Sequence, residues 1–92
     1  MDDRQNLLGR RWIVGVMLMA AEQAPRILEV CAATPGDEKD LNRALREAFD
    51  IGEMDAEVIL SMPVRRFAPV SVERIRAELA DIEERLALTE PE

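Results

Sequence analysis

Residues 71–86 read SVERIRAELADIEERL, and their spacing points to helices packed side by side. Ile75, Leu79, Ile82 and Leu86 recur at steps of 4, 3 and 4, the period at which a helix keeps one apolar edge turned toward a neighbouring helix. Arg74 with Glu78, and Asp81 with Arg85, stand four apart, where opposite charges meet on a helix surface. A coiled-coil seam needs a second helix, and the long apolar segment near the N-terminus is the available partner. The N- and C-terminal helices are therefore expected to form an antiparallel coiled-coil stub. Just ahead of the seam, Ser71 is expected to cap the helix, with Val70 and Ile75 as the two residues of a hydrophobic staple and Glu73 in the first turn.

The preceding segment, Glu53 to about Phe67, carries apolar residues on two faces. Ala56, Leu60, Val64 and Phe67 follow helical spacing, whereas Met54, Val58 and Met62 lie about 200° away at about 100° per residue. One face can fill a local core. A chain of this length has few further elements to cover the other, so pairing with a second chain is the expectation, and complete burial within one subunit is the alternative. Pro63 removes an amide donor and disfavours helical geometry at Met62, so a bend is expected there. The expected contact surface comprises Met54, Ala56, Val58, Ile59, Leu60, Met62, Pro63, Val64 and Phe67. Replacing Leu60 with Asp is expected to weaken self-association far more than replacing Glu84 with Lys.

Two further segments precede it. The first runs from about Arg4 toward Ala32, with a kink or break expected just before Pro25; Ile27, Leu28, Val30 and Cys31 are expected to continue it facing inward. Thr34, Pro35 and Gly36 form a turn, after which Asp37 and Glu38 place negative charge at the positive end of the next helix. Leu41, Leu45, Ala48 and Phe49 are its expected core face, Arg43 and Glu47 an exposed pair, and Gly52 its stop. Arg10 and Arg11 before Trp12–Ala21 imitate a secretory signal, but Asp2 and Asp3 precede them and the apolar run continues into Glu22 and Gln23 without a small-x-small site. The run falls short of the roughly 20 residues needed to span a bilayer, so a helix buried on nearly all sides is expected.

Composition agrees with this pattern. The 92 residues suffice for one domain, 1–92, and aromatics are 3% against 48% hydrophobic residues, a blend of Leu, Ile, Val, Ala and Met with Glu and Arg that suits helices. The expected fold is all-α, a small bundle of four to five helices. Twelve basic against 19 acidic residues leave a charge of −7, which disfavours nucleic-acid backbones and anionic membranes. With no histidine, no tyrosine and one cysteine, a Ser-His-Asp triad, a tyrosine nucleophile, structural zinc and an internal disulfide are all excluded. No cofactor is expected, and the chain is expected to be cytoplasmic.

Residues 56–79, AEVILSMPVRRFAPVSVERIRAEL, resemble the exit-gate region of bacterial type IIA topoisomerase A subunits, those of DNA gyrase and topoisomerase IV. That family's pattern is approximately QAxxILxMxLRRLTxLExxKI, and this chain keeps Ala56, Ile59, Leu60, Met62, Arg65, Arg66 and Ile75 in register. Asp55 stands where the family has glutamine, Val64 and Phe67 where it has leucine, Ala68 for threonine and Ser71 for glutamate. Residues 7–30, LLGRRWIVGVMLMAAEQAPRILEV, resemble the family's RxHIVEGLLIALDNIDEVI, so the likeness runs from about Leu8 to Leu86. It implies a helical knob at the end of an antiparallel coiled coil, two of which meet as the gate through which transported DNA leaves. The chain lacks the tyrosine with which that family cleaves DNA.

The expected function is thus non-catalytic: a dimerisation module, pairing with itself or with the equivalent knob of a full-length topoisomerase A subunit. The alternative is a small helical enzyme of the chorismate-mutase kind, in which arginines hold a dicarboxylate; Arg10, Arg11, Arg26, Arg43, Arg65 and Arg66 are its candidates. DNA binding without cleavage is a third possibility that the acidic balance disfavours. Arg65 and Arg66 are expected to pair with carboxylates such as Asp55 and Glu57 or to cap carbonyls freed near Pro63 and Pro69. Cys31 is expected to be a buried small residue, Met17 and Met19 core filling, Met54 and Met62 adaptable contact residues, and Trp12 the closure of a bundle end or an interface anchor.

Overall fold

A computed structural model of the chain describes residues 3–89; residues 1–2 and 90–92, which include Asp2 and most of the acidic tail, lie outside the described residues. Five α-helices and one 3-10 turn follow in order: α1 (Asp3–Glu22), α2 (Ala24–Ala32), α3 (Glu38–Phe49), α4 (Glu53–Leu60), the turn Val64–Phe67, and α5 (Pro69–Thr89). The fold is an all-α small bundle, with no strand among the described residues. Helices α1 and α5 run antiparallel as a stalk. Helices α2 to α4 and the 3-10 turn form a knob at the end where the chain leaves α1 and returns to α5, and the whole measures 49 × 27 × 19 Å.

The stalk follows from matched periods. Leu7, Val14 and Ala21 lie at heptad intervals on α1 and are buried against Ile75, Ile82 and Leu86 of α5, with Leu18, Val72 and Leu79 packed alongside. Two ion pairs cross between the helices, Arg10 to Glu78 at 2.9 Å and Arg76 to Glu22 at 2.7 Å. Glu78 therefore turns to Arg10 on the facing helix rather than to Arg74, while Asp81 and Arg85 do pair at 3.2 Å. The knob has its own core of Ala20, Ile27, Leu45, Ala56 and Ile59. Ala20 and Ala56 are both fully buried, and their short side chains let α1 and α4 approach closely. Phe67 packs against both cores and joins knob to stalk.

Helix boundaries follow local chemistry, in places differently from the sequence expectation. The break before Pro25 falls at Gln23, and Pro25 occupies the first turn of α2, where its missing amide costs nothing. Leu28, expected inside, is exposed because Ile27 alone of that pair faces the knob core. Asp37 caps α3, its Oδ1 accepting from the amides of Lys39 and Asp40, while Asp40 Oδ2 accepts from the Asp37 amide. Arg43 reaches back toward Asp40 at 4.0 Å rather than forward to Glu47. Gly52 does not stop α3. Asp50 does, in the left-handed region at φ 54°, and Gly52 instead precedes α4, its amide donating to Asp55 Oδ2 at 3.0 Å.

Pro63 ends a helix where only a bend was expected. Helix α4 stops at Leu60, and Pro63 is extended at φ −71°, ψ 149°, because Met62 is pushed out of helical geometry and the proline has no amide to donate. Ser71 does not cap α5. Helix α5 begins two residues earlier with Pro69 in its first position, and Ala68 is the flanking residue whose carbonyl accepts from Ser71 and Val72. Val70 is exposed, so no staple closes over Ile75.

Candidate functional site

The stalk seam consumes one edge of α1 and the knob core another, yet the apolar run Trp12–Ala21 is wider than both. Trp12 and Ile13 remain exposed, at 40% and 41%, so the run is not buried on nearly all sides. They face α4 and the turn after it. Together Trp12, Ile13 and Met17 of α1, Met54 and Val58 of α4, and Met62 and Pro63 line an open apolar groove of about 450 Å³, with Glu57 and Arg66 also on its walls. A smaller cleft of about 270 Å³ continues from it along α1, floored by Ile13, Val14, Met17 and Ile75 and flanked by Arg10, Arg66 and Glu78.

One wall of the groove is fixed in place. Trp12 Nε1 donates to Asp55 Oδ1 at 2.6 Å while Asp55 Oδ2 takes the Gly52 amide. The same carboxylate thus closes the N-terminus of α4 and holds the indole, which stands beside the groove in one orientation. Asp55 is in this way occupied by Trp12 and Gly52 rather than by Arg65 or Arg66, and both arginines are exposed on the 3-10 turn.

The expected contact residues divide between surface and interior. Met54 is 66% exposed and Val64 76%; Pro63 is exposed as well, and Val58 and Met62 are half-buried in the groove wall. Ala56 and Ile59 lie in the knob core and are not surface residues, because they sit on the edge of α4 that faces Ala20, Ile27 and Leu45. Leu60 and Phe67 are half-buried and pack inward against that core, so of the face expected to fill it only Val64 points to solvent. Trp12, Ile13 and Met17 complete the groove. Their signal in the sequence was an apolar run too wide for a single seam.

A second cleft, polar and about 460 Å³, separates α3 from α4. Lys39, Arg43 and Arg46 face it together with Glu38, Glu53 and Glu57, three positive against three negative side chains. At its floor lies Asn42, a buried polar residue that hydropathy alone did not mark. Its Nδ2 donates to the Glu53 carbonyl at 3.2 Å and its Oδ1 accepts from Arg46 Nε at 2.7 Å, tying α3 to the start of α4.

The arginines do not converge on one point. Arg10 is held by Glu78, Arg43 stands near Asp40, and Arg26 donates to the Ala48 carbonyl and lies 4.9 Å over the Phe49 ring. Arg10 and Arg66 do share the smaller cleft, but Arg10 is engaged by Glu78 and the floor is apolar. Cys31 is half-buried beside the knob core, and burial pushes its thiol pKa up, away from the thiolate a nucleophile requires. Among the described residues no group of three or more aspartate, glutamate or cysteine side chains is placed to hold a metal ion. No described helix is long and apolar enough to cross a membrane. No protein-family model matches the chain, and no curated protein matches it.

Proposed function

We propose that this chain is a non-catalytic association module that resembles the DNA exit gate of bacterial type IIA topoisomerase A subunits and acts in the cytoplasm in the handling of DNA topology. Its first partner is a second copy of itself; the corresponding knob of a full-length topoisomerase A subunit is the other. The observation that carries this reading is the exposed apolar groove between α1 and α4, with Trp12 held against one wall. An open apolar groove beside an oriented aromatic side chain is the kind of setting in which the anchor residues of protein contacts are found. The antiparallel stalk bearing a helical knob supports the same reading, since it is the shape the sequence resemblance implies.

Light scattering across roughly 1 to 500 μM tests the proposal, a range that brackets the affinities expected of small interfaces. Mass is expected to rise toward two chains, and Met54→Asp to hold the protein at one. Leu88→Asp, at a still more exposed site on the far end of the stalk, is expected to associate like the parent. Leu60→Asp is a poorer probe than its spacing suggests, because Leu60 packs against the knob core. A parent that stays monomeric throughout refutes the proposal.

A further inference from the structure

Glu57 of α4 and Arg66 of the 3-10 turn both stand on the apolar groove, and no ion pair joins them within one chain. We infer that two copies meet groove to groove about a two-fold axis, with α4 against α4, so that Glu57 of each faces Arg66 of the other. The inference rests on the homodimer reading and specifies its register. A two-fold contact brings one patch onto itself, and any residue i that touches j is matched by j touching i. A patch with one anion and one cation on an apolar floor is its own electrostatic complement under that operation.

A uniformly acidic or basic partner segment would satisfy one of these charges and face the other with like charge. A second copy satisfies both. Met54 and Val58, one helical turn apart on α4, form the ridge that enters the opposing groove, where Trp12 already has its orientation fixed by Asp55. Each chain carries −7, so two copies repel at long range. The crossed pairs oppose that repulsion where the surfaces touch, and they select the register in which the ridges interlock.

A charge-swap experiment on the full chain, read by sedimentation velocity, separates this inference from the reading beneath it. In Glu57→Arg alone, two arginines face each other at both crossed positions; in Arg66→Glu alone, two glutamates do. Each is expected to weaken self-association by about tenfold or more, since two contacts per dimer turn repulsive. An equimolar mixture of the two variants restores both pairs and is expected to form a mixed dimer within about threefold of the parent affinity, as is the double variant Glu57→Arg/Arg66→Glu. Both positions are exposed, and far-UV circular dichroism of each variant checks that the fold is kept. If the single variants dimerise like the parent, or if the mixture stays as weak as either variant alone, the crossed pairing is overturned while the homodimer stands. If the parent itself is monomeric, both fall.

Discussion

Replacing Phe67 with alanine removes a ring that packs against both the stalk core and the knob core. A fully buried phenylalanine truncated to alanine costs about 3–5 kcal/mol, part from lost transfer energy and part from the cavity left behind. Phe67 is only half-buried, so the expected loss is lower, about 2 kcal/mol. For a domain of this size each kcal/mol shifts the melting temperature by about 4–8 °C, which places the variant about 8–16 °C below the parent. Urea unfolding followed by far-UV circular dichroism, at a concentration too low for association, measures it. Val64→Ala, three residues away and 76% exposed, is the control and is expected within about 0.5 kcal/mol of the parent. Because the lost ring joins two cores, the Phe67 variant is also expected to unfold over a broader urea range, as stalk and knob separate into less coupled units. A Phe67→Ala variant no less stable than Val64→Ala would show that the two cores are not joined through this ring.

Three further outcomes follow from local chemistry. Asn42→Ala deprives the Glu53 carbonyl and Arg46 Nε of their partner, and is expected to destabilise by about 1–3 kcal/mol in the same urea assay. Asp50→Gly is expected to stabilise by up to about 1 kcal/mol, since glycine occupies the left-handed position without strain. The Asp37 carboxyl is held below the usual carboxylate range, first by the Asp40 amide and further by the Asp40 side chain and the Lys39 amide. Its folded pKa therefore lies below its unfolded one, so its stabilisation is present above about pH 4 and fades as pH falls through the lowered value. Thermal melts below about pH 4 are expected to fall less steeply for Asp37→Asn than for the parent.

The stalk was legible in the sequence because its signal is a repeat. Ile75, Leu79, Ile82 and Leu86 advertise a seam whatever lies around them, and the all-α class followed from that period and from the composition. Boundaries were less legible. Gly52 drew attention as the natural stop for α3, but the left-handed residue is Asp50, an ordinary acidic residue whose conformation is set by the chain turning toward α4. Ser71 looked like a cap, yet Pro69 already has the backbone angle of a first helical position, and α5 begins there. Asn42 lay hidden because hydropathy counts asparagine as exposed, while its burial is settled by two hydrogen bonds to residues that only the fold brings near.

The groove was half legible. Met54, Val58 and Met62 announced a second apolar face on the segment from Glu53 to Phe67, but the α1 wall did not announce itself. A run such as Trp12–Ala21 is apolar all round, so its sequence cannot say which residues the stalk and the knob will leave uncovered. That choice is made by α5 on one side and by α4 packing at Ala20 and Ala56 on another. Ala56 and Ile59 were assigned to the contact surface for the converse reason: on a helix as short as α4, an apolar residue facing inward and one facing a partner have the same chemistry.

Sedimentation equilibrium of the unmodified protein, over a concentration series at near-physiological salt, bears most directly on whether the groove joins two copies. The weight-average mass is expected to climb from 10.4 kDa toward twice that value and go no further, because a two-fold contact closes on itself. A mass fixed at 10.4 kDa at every concentration would contradict it, as would one that climbs past two chains without limit.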